Sequence, residues 1–265
     1  MLDNFNRNIN YLRISVTDRC NLRCVYCMPE TGITLIDHKD ILSYEEIMEV
    51  VHESVQFGIT KIRITGGEPL VRKGVSSLVK MIASVREIND LGLTTNGILL
   101  DEYAEELAQA GLHRVNISLD TVNPEKYSLL TRGGDLTRVF RGIEVARNTG
   151  LFPIKINCVV RDLSGNDTRE VTKFCQDQGL ELRLIHQMNL STGGFAVVEG
   201  GTGGNCILCN RLRLTANGII KPCLFDNIGF NIRESGVKQA IEQAIGFKPE
   251  KGTVNTLNTF HNIGG

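Results

Sequence analysis

The feature that most limits the possible folds of this chain is the alternation of short strand-like and longer helix-like runs before Met188. The candidate strands are NYLRISVT, KIRITG, LGLTTN, RVNISLD, IKINCVV and ELRLIHQM. Between the first two, Ser43 and Glu46 form a predicted capping box, and Gly58 marks the predicted helix end. Strands that alternate with helices build parallel sheets from βαβ units. The pattern predicts an α/β protein with a partial or closed (β/α)6 barrel, and a doubly wound open sheet is the alternative.

The side chains within the strands distinguish the barrel from the open sheet. Lys61, Arg63 and Thr65 alternate with isoleucines, and the fourth and fifth strands repeat this pattern with other polar residues. A parallel strand that is covered by helices on both faces is apolar on both faces. Solvated sheet edges would explain a polar face on one or two strands but not on most of them. We therefore expect a partial TIM-like barrel whose polar lumen holds a charged ligand.

The chain changes character after Met188. The run NLSTGGFAVVEGGTGGN is rich in glycine, has no period and is typical of a loop or linker. It is followed by RLRLTANGIIKPCLF, a predicted hairpin that turns at Asn217 and Gly218, and by a last helix at GVKQAIEQAIGF. We expect a barrel core over residues 1–190 and a C-terminal extension over residues 191–265.

Charge and hydropathy exclude several classes of function. The 29 Lys and Arg residues balance 30 Asp and Glu residues, which gives no electrostatic basis for general binding to nucleic acid or a membrane surface. The opening run MLDNFNRNIN has no apolar signal core, and no apolar run is long enough to span a bilayer. We expect a cytoplasmic protein, whose eight cysteines stay reduced and available to metals.

Six of the eight cysteines fall into two groups of three. Cys20, Cys24 and Cys27 follow the first strand directly, at the mouth where barrel enzymes place their chemistry. The second group, around the predicted hairpin, consists of Cys206, Cys209 and Cys223. Disulfides pair thiols in twos and structural zinc takes four ligands, so three thiols indicate a metal centre with an open position. A [4Fe–4S] cluster on three thiolates has one free iron. Zinc is the alternative for the first group, and an incomplete zinc ribbon for the second.

The first cysteine group, together with Tyr26 and the run from Thr65 to Pro69, resembles the radical S-adenosylmethionine (SAM) superfamily. Seven further features resemble the GTP 3′,8-cyclase (MoaA) family of molybdenum cofactor biosynthesis: LRISVTDRCNLRCVYCMPE, KIRITGGEPLVR, LTTNGILL, VNISLD, IKIN, CILCNRLRLTANGIIKPCLF and the terminal Gly-Gly. This resemblance implies a radical SAM lyase with two [4Fe–4S] clusters. One cluster would bind SAM, and the second would bind the guanine base of GTP through its open iron. The resemblance also implies that a 5′-deoxyadenosyl radical takes hydrogen from ribose C3′ of GTP, after which the carbon radical attacks C8.

The same resemblance implies the site residues. For SAM the family's contact positions are Tyr26, Gly67, Ser118 and Met188, to which we add Asn96. For GTP they are Arg13, Arg63, Thr94, Lys155, Arg211 and Arg213, and Lys61 is added because it lies on the strand face of Arg63. The catalytic set is expected to comprise Cys20, Cys24, Cys27, Arg211, Arg213, Gly264 and Gly265. The implied partners are a flavodoxin- or ferredoxin-type reductant and a downstream cyclic pyranopterin synthase.

Two departures from the family pattern bear on the substrate. The stretch between the sixth strand and Cys206 is shorter by some tens of residues than in typical family members, and His186 stands where the family usually has an acidic residue. A second hypothesis is therefore a similar radical SAM enzyme that acts on another nucleotide or on a peptide. A third is a non-enzymatic zinc or electron-transfer protein. The remaining thiols, Cys158 and Cys175, are interpreted as small buried hydrophobic groups.

Overall fold

The computed structural model describes residues 1–161, 166–257 and 263. The strands are β1 (Tyr11–Ser15), β2 (Lys61–Thr65), β3 (Asp90–Thr95), β4 (Arg114–Ser118), β5 (Lys155–Val160), β6 (Glu181–His186), β7 (Arg211–Leu214), β8 (Ile219–Lys221) and β9 (Phe230–Asn231). The helices are α1 (Tyr44–Gln56), α2 (Val75–Ala83), α3 (Leu100–Gln109), α4 (Pro124–Thr131), α5 (Leu136–Asn148), α6 (Asn166–Gln178), α7 (Ile232–Ser235) and α8 (Val237–Gly246). Two 3-10 turns lie at His38–Asp40 and Pro69–Val71.

The nine strands of the described residues belong to one sheet, in the order β6-β5-β4-β3-β2-β1-β7-β8-β9. The six predicted strands are β1 to β6, which run parallel and pair with their neighbours in chain order. The sheet is open, because β6 lies at one end while β1 pairs with β7 rather than with β6. The predicted partial (β/α)6 barrel is therefore confirmed, and it does not close.

The C-terminal extension is built onto this barrel rather than beside it. Strand β7 pairs in parallel with β1, and β8 turns back antiparallel to β7 through the predicted turn at Asn217 and Gly218. Strand β9 then pairs with β8. The predicted hairpin is confirmed, and its first strand extends the edge of the barrel sheet, so that residues of the extension enter the lumen.

The helices follow local signals in the sequence. The capping box of α1 is present: the Ser43 hydroxyl accepts from the Glu46 amide at 3.1 Å, and the Glu46 carboxylate accepts from the Ser43 amide at 2.7 Å. The sequence patterns indicate no helix at the positions of α4 and α6. Each of these helices buries only two side chains, which are Val171 and Cys175 in α6.

The outward faces of the strands and the inner faces of the helices form the main core, in which Ile62, Ile64 and Ile117 are fully buried. Cys158 and Cys175 lie in this core, as predicted. Among the described residues, no helix has the length and apolar character needed to cross a membrane.

Candidate active site

The inner faces of the strands enclose one cavity of about 420 Å³, a size typical of small-molecule sites. Every predicted site residue within the described part of the chain lines this cavity, with the exception of Lys155. Lys155 lies on β5, where its ammonium is ion-paired with Glu181 of β6. Gly264 and Gly265 lie outside the described residues. The lining includes the polar strand residues Lys61, Arg63 and Ser118, as the alternation in the strands predicted.

The two cysteine groups lie at opposite ends of this lumen. The loop that carries Cys20, Cys24 and Cys27 leaves the C-terminal end of β1. Cys206 and Cys209 precede the N-terminal end of β7, which runs parallel to β1. Because both groups line the same cavity, a ligand between them would face one group at each end.

Hydrogen bonds from the C-terminal end of α4 and the residue after it hold the first cysteine loop. The Arg132 guanidinium donates to the Arg23 and Met28 carbonyls at 3.0 Å each, and the Val25 amide donates to the Leu130 carbonyl at 2.9 Å. Within the loop, the amides of residues 27 and 28 both donate to the Cys24 carbonyl at 3.0 Å. The backbone therefore fixes where the three thiols lie.

The chemistry of these three thiols fits a cluster better than a single ion. Burial raises the pKa of Cys20 to about 11, and burial together with the charges of neighbouring cysteines raises that of Cys24 to about 11 and that of Cys27 to about 12. The thiols would therefore lose their protons only on binding a metal. In the described part of the chain, no three His, Cys, Asp or Glu side chains converge as ligands of one ion do. The ligands of a [4Fe–4S] cluster bind separate irons and lie farther apart than the ligands of one zinc ion.

The turn after β2 forms a tight cradle against the first cysteine loop. The Gly67 amide donates to the Thr17 carbonyl at 2.7 Å, and the Glu68 amide donates to the Arg19 carbonyl at 2.8 Å. A Cβ atom on Gly67 would lie only 2.4 Å from the Arg19 carbonyl oxygen, so only glycine allows this approach. The cradle thus leaves backbone rather than side chains facing the cavity.

A buried carboxyl joins this cradle to β3. Glu68 is 0% exposed, and its carboxylate accepts from the Thr95 hydroxyl at 2.8 Å and from the Asn96 amide at 2.7 Å. Burial raises the pKa of Glu68 to about 7, while these hydrogen bonds lower it. The Asn96 side chain in turn lies 3.8 Å from the Cys20 thiol. Glu68 therefore connects the cradle, β3 and the first cysteine.

Tyr26 lies near a buried carboxylate that follows β4. The charge of this carboxylate, on Asp120, acts on the phenol. Asp120 accepts from the Val159 amide at 2.8 Å, and the Arg161 guanidinium lies 5.5 Å from the centroid of the Tyr26 ring. Burial, and then the charge of Asp120, raise the pKa of Tyr26, so the phenol stays protonated. Asp120 follows the strand in which Ser118 was predicted to bind SAM.

Three arginines lie side by side in the lumen. Arg13 of β1 is the direct register partner of both Arg63 of β2 and Arg213 of β7. Adjacent strands lie about 4.8 Å apart, and Arg63 and Arg213 are only 6% and 8% exposed. Burial and the neighbouring arginines lower the pKa of Arg13 well below its usual value and that of Arg213 to about 10. Three guanidinium groups in such a row are well matched to the oxygens of a polyphosphate.

Tyr11, which was not predicted, lies at the centre of a second row. It pairs with Lys61 and Arg211, and its ring centroid lies 5.2 Å from Lys61 Nζ, 5.8 Å from Arg63 Cζ and 5.7 Å from Arg211 Cζ. Burial alone would raise the pKa of Tyr11, but the surrounding cations lower it. The signal was present in the sequence, since Tyr11 precedes Arg13 by two residues and must share its face.

Arg183 of β6 was also missed as a lumen residue. With its amide oxygen turned inward, Asn116 accepts hydrogen bonds from Arg63 at 2.7 Å and from Arg183 at 3.0 Å. The Nε atoms of both arginines and the Thr94 hydroxyl are buried and have no hydrogen-bond partner within the described residues. Buried donors of this kind are normally satisfied, so these atoms indicate where ligand oxygens fit.

A buried ammonium lies beside two cysteines of the second group, Cys209 and Cys223. Lys248 follows α8, is 3% exposed and donates to the Arg211 carbonyl at 2.7 Å and to the Pro222 carbonyl at 2.6 Å. Burial alone would raise the pKa of Cys209, but the ammonium and the Arg211 guanidinium hold it below its usual value. Burial raises the pKa of Cys223. Three thiols beside a cation are a suitable donor set for an anionic iron–sulfur cluster.

The glycine-rich segment between β6 and β7 lines one side of the cavity. The backbone bridge between Leu184 and Glu199 joins it to β6, and the Thr202 hydroxyl accepts from the Arg211 guanidinium of β7 at 2.6 Å. His186 lines the cavity and lies 3.3 Å from the Glu199 carboxylate. The segment is therefore attached both to β6 and to β7.

Comparisons with known proteins agree with this architecture. The model of the radical SAM superfamily matches residues 14–175. The GTP 3′,8-cyclase of Thermodesulfovibrio yellowstonii is 40% identical over 324 residues, with 100% of both chains covered. That of Petrotoga mobilis is 39% identical over 302 residues, with 94% of each chain covered. Streptococcus suis SuiB bound to S-adenosylmethionine has the same fold, with a TM-score of 0.67 and 15% identity over 88% of this chain and 63% of SuiB.

This chain belongs to the radical SAM superfamily, whose members use a [4Fe–4S] cluster and SAM. The cavity has basic residues in its lining and a cysteine group at each end. These features are consistent with membership of a particular family within the superfamily. Within the superfamily, the chain belongs to the family of the GTP 3′,8-cyclases.

Proposed function

We propose that this protein is a radical SAM GTP 3′,8-cyclase, a lyase that converts GTP to (8S)-3′,8-cyclo-7,8-dihydroguanosine 5′-triphosphate in molybdenum cofactor biosynthesis. The observation that carries the proposal is the in-register row of Arg213, Arg13 and Arg63, buried in a lumen between two cysteine groups. A triphosphate has the charge and the oxygen spacing to satisfy this row. The relatives, at about 40% identity, carry the same name.

The first end of the lumen would hold the first cluster and SAM. Cys20, Cys24 and Cys27 would bind the cluster, and SAM would lie against Tyr26, Gly67, Asn96, Ser118 and Met188. When bound, the cluster supplies an electron to SAM, and SAM supplies the group that takes a hydrogen from the ribose. The glycine cradle brings the turn after β2 close to the first cysteine loop, and burial together with the charge of Asp120 raises the pKa of Tyr26 and keeps its phenol protonated.

The middle of the lumen would hold GTP. The proposed contacts to the triphosphate and its sugar are Arg13, Lys61, Arg63, Thr94, Lys155, Arg211 and Arg213, to which the structure adds Tyr11 and Arg183. Lys155 would reach the ligand only after leaving its ion pair with Glu181. The buried Nε atoms of Arg63 and Arg183 give GTP oxygens two donors that no described residue uses. These groups orient the substrate and keep water from its ribose.

The second end would hold a second [4Fe–4S] cluster on Cys206, Cys209 and Cys223, next to the guanine. We propose that residues 1–190 form the SAM-binding core and residues 191–265 the second-cluster segment, with Gly264 and Gly265 completing the site. A flavodoxin- or ferredoxin-type protein would supply electrons, and a cyclic pyranopterin synthase would take the product.

The function is tested by mass spectrometry of an anaerobic incubation of reconstituted protein with SAM, a strong reductant and GTP. We expect 5′-deoxyadenosine together with a cyclised isomer of GTP. Deoxyadenosine without any change to GTP would support radical SAM chemistry but would refute GTP as the substrate. The substrate would then be sought among other nucleotides and peptides. If neither product forms and the protein contains zinc, both radical SAM hypotheses are refuted.

Variants separate the two halves of the reaction. Arg211→Ala or Arg213→Ala is expected to weaken the use of GTP and leave uncoupled SAM cleavage largely intact, because neither arginine lies at the first cluster. Cys20→Ala is expected to abolish both activities. Lys39→Ala, at an exposed site far from the cavity lining, is the matched control. A Cys20→Ala protein that still makes 5′-deoxyadenosine would contradict the assignment of the first cluster.

A further inference from the structure

Lys248 is a buried cation to which neither the sequence patterns nor the proposed reaction assigns a role. Its ammonium donates to the carbonyls of Arg211 and Pro222, at 2.7 and 2.6 Å. These carbonyls lie two residues after Cys209 and one residue before Cys223. The ammonium also lies close enough to the Cys209 thiol for its charge to lower the pKa of that thiol. One side chain thus links the two backbone segments that carry two of the three cysteines.

Arg7 links the third cysteine to the same point. Its guanidinium donates to the Cys206 carbonyl at 2.9 Å, to the Glu250 carbonyl at 3.0 Å and to the Pro249 carbonyl at 2.8 Å. Its Nε atom donates to the buried Asp3 carboxylate at 2.6 Å, which fixes the guanidinium. Residues 249 and 250 follow Lys248 directly, so all three cysteine segments meet at one short stretch after α8.

Burying an ammonium is unfavourable unless its hydrogen bonds and charge are matched. Two backbone carbonyls satisfy hydrogen bonds of Lys248 but carry no full charge. The negative groups beside it are the thiolates that Cys209 and Cys223 would form. A lysine whose only role was to pack α8 against the sheet would not need to lie beside Cys209 and Cys223.

We propose that Lys248, supported by Arg7, is the positioning residue of the second iron–sulfur cluster, holding the Cys209 and Cys223 segments in place and supplying a positive charge beside the cluster. This inference rests on the second cluster of the proposed function. Hydrogen bonds and charges next to ligand sulfurs tune the reduction potential of such clusters, and a nearby cation stabilises the reduced form.

The test compares Lys248→Met, which keeps the length and removes the charge, with Lys248→Gln, which retains a donor. Lys238→Met, on the exposed face of α8, is the matched control. After anaerobic reconstitution, we would measure iron and acid-labile sulfide per chain, the electron paramagnetic resonance spectrum of the reduced protein, its midpoint potential and uncoupled SAM cleavage.

We expect Lys248→Met to lose the iron and sulfide of one cluster, or to keep both clusters with a more negative potential for the second. Lys248→Gln should lie between this variant and the unmodified chain, and uncoupled SAM cleavage at the first cluster should be unchanged. Lys248→Met with two clusters and unaltered spectra and potential would overturn the inference. Loss of both clusters in both variants would also overturn it, because Lys248 would then be a general core residue.

These outcomes are distinct from a failure of the proposed function. If the unmodified protein reconstitutes with a single cluster, the second cluster itself is refuted. If it holds two clusters and the Lys248 variants match it, only the role of Lys248 is refuted.

Discussion

Neutralising one arginine of the lumen row should stabilise the ligand-free protein. Arg213 has a usual pKa of 12.5, and burial together with the Arg211 charge lowers it to about 10. At neutral pH the guanidinium is protonated in both the folded and the unfolded chain, so the full electrostatic cost of burying its charge lowers the free energy of unfolding. This cost would be relieved only as the pH rises through about 10. Each pH unit of difference is worth about 1.4 kcal/mol, which gives a cost of about 3 kcal/mol.

Arg213→Gln should therefore raise the free energy of unfolding of the cluster-free protein by as much as about 3 kcal/mol, less what is lost in packing and hydrogen bonds. The assay is urea unfolding under anaerobic, reducing conditions, with and without GTP. GTP should stabilise the unmodified protein more than the variant, because a ligand stabilises the folded state according to its affinity. The exposed Lys39→Gln exchange should change neither value by more than about 1 kcal/mol.

A ligand-free Arg213→Gln protein that is less stable than the unmodified chain, while Lys39→Gln is unchanged, would refute the reasoning. It would mean that partners of Arg213 fully compensate its charge without an anion. Equal stabilisation of both proteins by GTP would refute the proposed role of Arg213 in binding the triphosphate.

Three further outcomes follow from particular contacts. Gly67→Ala should abolish loading of the first cluster, measured by iron content, because its Cβ would lie 2.4 Å from a carbonyl oxygen, whereas Gly246→Ala, with open space around it, should not. Glu68 has its pKa raised by burial from 4.5 to about 7, so unfolding free energy of the cluster-free protein should fall as the pH rises from about 5 to 8, and Glu68→Gln should flatten this dependence. Thr202→Val should raise the KM for GTP more than it changes kcat, because Arg211 loses its 2.6 Å partner, and Thr202→Ser should restore it.

Each of these can fail clearly. Normal cluster loading in Gly67→Ala would show that the cradle can move. An unchanged pH dependence in Glu68→Gln would assign the effect to another group. Equal KM values for the valine and serine variants of Thr202 would show that the hydroxyl does not orient Arg211.

The barrel was predictable because its signals are local. Alternation of polar and apolar residues over five or six positions is visible within each strand. Ser43 and Glu46, which lie within four residues of each other, predict the start of a helix. The same alternation placed Lys61 and Arg63 on the lumen face, whereas Arg13 was implied by the family resemblance. Applied also to the first and sixth strands, the alternation would have found Tyr11 and Arg183.

The remaining features depend on contacts between distant parts of the chain. The pairing of β7 with β1 brings Arg213 beside Arg13 across some two hundred residues of sequence, and no local pattern specifies it. Arg7 and Lys248 lie in polar surroundings near opposite ends of the chain. Each resembles a solvated surface charge until the fold buries it beside the second cysteine group.

The short segment between β6 and β7 lines one side of the lumen because it is attached to both of these strands. The bridge between Leu184 and Glu199 attaches it to β6, and Thr202 attaches it to Arg211 of β7. Gly200, between these points, has a φ of +75°, and a Cβ atom there would lie 2.4 Å from the Leu182 carbonyl oxygen. Any other residue would push the segment away from β6 and open the lumen to water. A short glycine-rich segment that is attached to β6 and to β7 thus lines this side of the cavity without a longer element.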